Sequence, residues 1–306
     1  IYRDELIKKT TEELLIDSDL IIKSVFQLIA RDKIYAESIK NDPAIYLKSL
    51  YISEQNSAIK LKKLINTPQF KIEIDIPKAI DWIQEKEQIT LTNMQKEAVS
   101  KAISGKVITI TGGPGTGKTT IIKCIIKILE KKGIKIQLCA PTGRAAKRME
   151  ETTGREAKTI HRLLEYNRST MAFDKNKENP LRCDMLIVDE FSMVDIVLFN
   201  HLLNAIHEKS SLIIIGDIDQ LPSVGPGSVL NDIIESGKIP VIRLIQIFRQ
   251  SETSNIIINS HRINSGQLPV VKNEIPNDFY FIECDEPDEV LKIIVELNKN
   301  RIPSKF

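Results

Sequence analysis

The run Gly112-Gly113-Pro114-Gly115-Thr116-Gly117-Lys118-Thr119-Thr120 carries the strongest chemical signal in this 306-residue sequence. It matches G-x-x-x-x-G-K-[ST], lying between an apolar β-branched run, Val107 to Thr111, and an amphipathic helix predicted over 118–132. Glycines let successive backbone N–H groups turn inward around an anion, and the helix start adds its positive dipole end at the same point. Gly113, Pro114, Gly115, Thr116, Gly117, Lys118, Thr119 and Thr120 are therefore the expected phosphate cradle. Lys118 supplies a point charge for the β- and γ-phosphates, and the Thr119 hydroxyl is a hard oxygen ligand for Mg²⁺. The chemistry is that of a nucleoside triphosphate site.

A second constellation follows. The apolar run Met185 to Val188 ends in Asp189-Glu190. On its own this is a common solvated strand end. Behind a phosphate loop it predicts that Asp189 holds Mg²⁺ through a water and Glu190 polarises the attacking water. Ser192 and Asp195 form a capping-box pattern for the next helix. Downstream, Leu212 to Ile215 runs into Gly216-Asp217-Ile218-Asp219-Gln220, and Gln220 is the candidate to contact the γ-phosphate or the attacking water. Asp217 and Asp219 have the types that form turns. Arg249 follows the run Val241 to Ile245. Its planar fork suits a γ-phosphate, although spacing alone fits a surface or ion-pair arginine equally well.

The elements that must position these residues are β-branched runs alternating with longer amphipathic helices. Several runs are apolar on both faces, as strands buried between helices require. The expected class is α/β, a P-loop lobe with a parallel sheet sandwiched by helices. Residues 1–66 read differently, as two or three helices plus a short hairpin. Ser18 is the expected cap of the second helix, and a turn at 40–43 joins the hairpin strands, making a small winged-helix-like module. Residues 67–90 form a linker and lead-in helix, and 91–306 the nucleotide lobe.

Composition sets the outer bounds. The chain is 42% apolar and 27% charged, with 13 Gly and 13 Pro, which suits a globular protein and excludes a collagen-like one. No apolar run approaches the roughly 18–20 residues of a membrane span. Net charge is only +2, but 131–182 holds 13 Lys/Arg against 6 Asp/Glu, a pattern shared by phosphate-backbone footprints and solvated helix faces. Residues 1–66 carry 11 basic and 10 acidic residues, so electrostatics give that module no case for DNA binding. The four cysteines have neither metal nor redox spacing, and buried reduced thiols in a cytoplasmic protein are the expectation.

Taken in order, Leu91-Thr92-Asn93-Met94-Gln95, the phosphate loop, CAPTGRAAKRM (139–149), TIHRLL (159–164), LIVDEFSMVD (186–195), GDIDQLPSVGPGSVL (216–230) and IFRQ (247–250) resemble the RecD-like helicases of superfamily 1B. The resemblance spans 91–250. It implies a RecA-like fold, ATP and Mg²⁺ as cofactors, and 5′–3′ movement on single-stranded DNA with unwinding at single-strand/duplex junctions. It implies that Gln95 reads adenine, whereas its local pattern Thr92-x-x-Gln95 is also a capping box. It places Pro141, Thr142 and Arg144 in a motif that contacts the single strand, and His161 in a neighbouring one. It also places a strand-separating β-ribbon at 166–182. Nothing after 250 resembles the motifs of a second RecA-like lobe, so the expectation is a fragment missing that lobe, which alone would unwind DNA weakly or not at all. Two alternatives stay open: the helicase segment of a larger conjugative relaxase or RecBCD-type nuclease, and a non-catalytic lobe that binds nucleotide or a partner.

Overall fold

The computed structural model describes residues 1–39, 41–68, 72–246, 254–271 and 278–305. The chain divides into two compact units, 1–246 and 247–306.

The first unit begins with α1 (Arg3–Leu14), α2 (Ser18–Ala30), the strands β1 (Ile34–Ile39) and β2 (Asp42–Leu47), and α3 (Lys48–Asn66). Asp17, not Ser18, caps α2. Its carboxylate accepts from the Asp19 N–H at 2.7 Å, so the helix starts one residue earlier than the serine predicts. The hairpin pairs Ile39 with Asp42 and Ile34 with Leu47. Asn41 sits at φ 75°, a left-handed conformation asparagine tolerates, which draws Asp42 and Pro43 from the expected turn into β2. A small core of Ile21, Val25, Ile34 and Ile45 holds this module. Helix α3 packs elsewhere as well: Leu61, Leu64 and Ile65 join the apolar cluster of the lobe, and Lys63 pairs with Glu208.

Next come α4 (Ile76–Glu87) and α5 (Asn93–Ser104), then the alternating run β3 (Val107–Gly112), α6 (Lys118–Glu130), β4 (Ile136–Ala140), α7 (Gly143–Thr153), β5 (Ala157–Thr159) and α8 (Ile160–Leu163). A two-residue ribbon follows, β6 (Tyr166–Asn167) against β7 (Ala172–Phe173), shorter than the 166–182 span expected for it. The lobe continues with β8 (Met185–Val188), α9 (Ile196–Ala205), β9 (Ser211–Gly216), α10 (Val229–Glu235) and β10 (Val241–Leu244).

Six of these strands form one sheet in the order β10-β3-β9-β8-β4-β5, and every pairing is parallel. Every residue of β8 and β9 is buried. One face rests on α5 and α6 through residues such as Ala98, Ile121 and Ile125; the other is covered through Leu198, Phe199 and Leu202 of α9 and Ile233 of α10. A parallel sheet needs both faces covered, which is why its strands read as continuous apolar runs. Burial of the larger side chains contributes about 1.5–3 kcal/mol each before entropy is counted. Helix α4 is tied to α6 by Glu87, whose carboxyl is drawn down to about 2 by Lys123 and Lys127.

The second unit contains α11 (Asn255–Asn264) and α12 (Pro287–Glu296). Asp278 accepts hydrogen bonds from the Ser254 hydroxyl and, at 2.7 Å, from the Asn255 N–H at the start of α11. Asn259 is buried and bonds both the N–H and the C=O of Val270. Among the described residues, no helix is long and apolar enough to cross a membrane.

Candidate nucleotide site

All six strands of the parallel sheet point the same way, so the segments leaving their C-terminal ends collect along one edge. In open α/β sheets ligands bind at this edge. The sequence-selected residues leave from it: the phosphate loop after β3, Pro141 and Thr142 after β4, His161 just after β5, Asp189 and Glu190 after β8, and Gln220 after β9.

The loop is shaped by its glycines. Gly115 and Gly117 have φ of 77° and 86°, and Gly117 is the residue from which α6 starts. A Cβ on Gly112 would lie 2.8 Å from Leu244 Cβ, from the Leu244 carbonyl and from Thr116 Oγ1, so only glycine lets the loop leave β3 beside β10. The Thr116 hydroxyl donates to the Gly113 carbonyl at 2.8 Å, closing the turn. The Lys118 ammonium folds over the loop, donating to the Gly113 carbonyl at 3.1 Å and also to that of Gly112. Thr119 and Thr120 are partly exposed on the first turn of α6.

Gln95 joins this loop in a way its sequence pattern only half discloses. The capping box is present: the Gln95 N–H donates to Thr92 Oγ1 at 3.3 Å, and Gln95 Oε1 accepts from the Thr92 N–H at 3.0 Å. Its Nε2 also donates to the Thr116 carbonyl at 3.0 Å. The side chain is 1% exposed and bonds within the protein through both its oxygen and its nitrogen. A helix start and the phosphate loop are thus held by one buried amide.

Asp189 and Glu190 are each partly buried at the end of β8. Burial pushes the Asp189 carboxyl above its usual range, and the charge of Glu190 pushes the same way. The Glu190 backbone N–H and the charges of Lys118 and Arg148 oppose them. Asp189 Oδ1 accepts that N–H at 2.9 Å, and the Asp189 N–H donates to the Cys139 carbonyl at 3.0 Å, fixing the residue against β4. Glu190 is left-handed, at φ 51°, a conformation that costs a non-glycine residue about 1 kcal/mol or more. That bend turns the chain into a 3₁₀ turn over Phe191–Met193.

Because of this turn, Ser192 and Asp195 separate. Asp195 alone caps α9, accepting from the Leu198 N–H at 2.8 Å. Ser192 is instead buried beneath Gln220 and donates to its Oε1 at 3.4 Å. Sequence reasoning gave Ser192 only a capping role; no spacing rule marks a hydroxyl that reaches across to the next strand's loop. Thr111 is a second such residue: at the end of β3 it accepts the Ile218 N–H at 3.1 Å, tying the loop after β9 to the strand before the phosphate loop. Asp217 is buried and accepts the Asp219 N–H at 3.1 Å, in keeping with a turn former. Gln220 itself is exposed.

The two segments expected to face DNA are built by caps. Thr142 caps α7, its hydroxyl accepting the Ala145 N–H at 3.3 Å, while Pro141 is partly buried and Arg144 exposed. His161 is exposed on α8 and packs against Tyr166 and Phe173 of the ribbon, with ring centroids 5.8 and 5.6 Å away. Arg249 lies outside the described residues.

A loop turned by glycines at left-handed φ, a lysine folded over it and a carboxylate pair two strands away fit a magnesium nucleotide. Among the described residues there is no cluster of three or more His, Cys, Asp or Glu that could hold a metal ion. Mg²⁺ takes one or two protein ligands and completes its shell with phosphates and water.

Parallel sheet, phosphate loop and acid pair define the P-loop NTPase class, in its RecA-like form. Residues 95–226 match the AAA domain family AAA_19. The chain is 36% identical over 226 residues to the ATP-dependent RecD2 DNA helicase of Deinococcus radiodurans, and 31% identical over 322 residues to the RecBCD enzyme subunit RecD of Buchnera aphidicola subsp. Schizaphis graminum. The first alignment covers 74% of this chain and the second 95%, but the chain spans only 30% and 50% of those relatives' lengths. Among solved structures, the Pif1 helicase from Candida albicans is similar at 25% identity and a TM-score of 0.46, over 59% of this chain and 45% of that one. The chain is thus similar in sequence to RecD-like helicases over most of its own length.

Proposed function

We propose that this chain is the nucleotide-binding part of an ATP-dependent DNA helicase that moves 5′–3′ along single-stranded DNA and separates strands at a junction. The observation that carries this reading is the convergence of the phosphate loop, Asp189, Glu190 and Gln220 on one edge of a parallel sheet. The DNA substrate is carried over from the relative named as an ATP-dependent RecD2 DNA helicase, and the direction rests on the family resemblance alone.

Bound ATP with Mg²⁺ would supply the phosphoanhydride and a Lewis acid; the remaining work falls to this chain. The backbone N–H groups of residue 113 and residues 115–120 hold the phosphates, and Lys118 leaves the loop carbonyls to do the same. Thr119 and Asp189 would hold the cation. Glu190 orients the attacking water and takes its proton. Gln220, held by Ser192, faces the γ-phosphate, and for Arg249 that role rests on its motif IFRQ (247–250) alone. An adenine contact by Gln95 would exchange its bond to the Thr116 carbonyl for one to the base. Pro141, Thr142, Arg144 and His161 line the path of the single strand, with the ribbon beside His161 at the point of separation.

The test is ATP turnover of the full-length gene product with and without single-stranded DNA, alongside Lys118→Ala. Stimulation by DNA that Lys118→Ala removes is expected. Turnover indifferent to DNA, or intact in the variant, contradicts the proposal. A second reading, a helicase subunit within a larger nuclease complex, is favoured by the relatives named as RecBCD enzyme subunits. It predicts that turnover needs a partner chain.

A further inference from the structure

A cavity of about 630 Å³ lies between α3 of the N-terminal region and helices α9 and α10 of the lobe, away from the residues assigned to nucleotide or DNA. Its floor is apolar, formed by residues such as Leu61, Phe199 and Ile233. Each of two walls carries an acid first and a lysine later: Glu54 then Lys62 on α3, Asp232 then Lys238 on α10 and the turn after it. Glu54 and Asp232 are accessible, and among the described residues no ion pair joins them to a cation. Both carboxyls are pushed above their usual range, first by the apolar walls and then by negative neighbours, Asp232 and Glu37 for Glu54, and Glu235 for Asp232. The acidic end is therefore uncompensated.

We propose that this cavity docks a partner polypeptide presenting about two turns of amphipathic helix, with a basic residue toward Glu54 and Asp232, apolar residues in the middle and an acidic residue toward the lysine end. The dimensions admit a helix. Eight positions along α3 separate Glu54 from Lys62, about 12 Å, a length that about two turns of helix span. An apolar floor with charges at each end is the helix-in-groove mode of recognition. A free amine would answer the acids and leave the apolar middle and the lysine end unused. The proposal is independent of nucleotide hydrolysis, because none of its residues belongs to that site.

The experiment uses the 306-residue chain and fluorescein-labelled helical peptides followed by anisotropy. One peptide carries Arg and, about eight positions later, Glu on one face, with leucines between. Its counterpart has the two charges exchanged. The first is expected to bind at least about tenfold more tightly than the second, a difference of about 1.4 kcal/mol. Glu54→Gln with Asp232→Asn is expected to abolish that preference while leaving the thermal midpoint unchanged or raised. Equal affinity for the two peptides overturns the proposal without any variant, as does failure of both to bind. A preference that survives the double substitution also overturns it. If phenethylammonium binds as tightly as the first peptide, the cavity is a small-amine site and the polypeptide assignment is wrong.

Discussion

Within the first unit, strands of the lobe and strands of the N-terminal module are built to different standards. In the lobe, β8 and β9 bury every residue, and side chains such as Ile110, Ile121 and Leu202 are wholly inaccessible. In the module, β1 buries Ile34 and β2 buries Ala44 and Ile45, while Leu14, Leu20, Phe26 and Leu47 are each more than half exposed. The lobe holds several loops in register at one sheet edge, and a site built on rigid elements keeps its geometry only if the elements cannot slide. The module carries none of the residues assigned to nucleotide chemistry. Burial is spent where positions matter.

The largest effect expected is at the sheet edge. Lys118→Ala should cut ATP turnover at least about 100-fold, because a preorganised charge on the transferring phosphoryl group is lost. Circular dichroism should show the lobe still folded, since the ammonium is partly exposed and bonds only loop carbonyls. Second in size is the packing contrast itself. Ile125→Ala and Leu202→Ala, at fully buried positions, should each cost about 3–5 kcal/mol, against about 1–2 kcal/mol for Val25→Ala in the module. Urea denaturation of the three variants measures this. Equal costs would break the comparison.

A smaller effect is expected at Ser192. Its bond to Gln220 is long, so Ser192→Ala should lower kcat about two- to tenfold, with KM for ATP little changed and the fold intact. Steady-state kinetics separate these outcomes, and a larger effect on KM would make Ser192 a binding residue. The smallest is at Glu87, paired with Lys123 and Lys127. Glu87→Gln should cost about 1 kcal/mol at neutral pH. The carboxyl is held down, from 4.5 to about 2, so its contribution is present above 4.5 and disappears as pH falls toward 2. Stability curves of wild type and variant should therefore converge in acid.

Much of the candidate site was legible because the chemistry proposed for it is local. Glycines at 112, 115 and 117 and a lysine at 118 must be neighbours in sequence to cradle one anion, so the loop declares itself. The sheet was legible for a similar reason: strands buried on both faces, such as Leu212 to Ile215, cannot alternate. What remained hidden depends on contacts between distant segments. Gln95 reaching the Thr116 carbonyl, Ser192 meeting Gln220, and Thr111 holding Ile218 join residues 21, 28 and 107 positions apart. The left-handed turn at Glu190 also hides from spacing rules, and it separated Ser192 from the cap it was expected to share with Asp195. The cavity beside α3 was invisible for the same reason, since Glu54 and Asp232 meet only once the lobe has formed.

Equilibrium binding of a fluorescent N-methylanthraniloyl-ATP, with and without Mg²⁺, tests the central claim most directly, because it needs only the sheet edge described here. Saturable, magnesium-dependent binding is predicted for the 306-residue chain, weakened at least about tenfold by Lys118→Ala. No binding, or binding that Lys118→Ala leaves unchanged, would contradict the assignment of this edge as a nucleotide site.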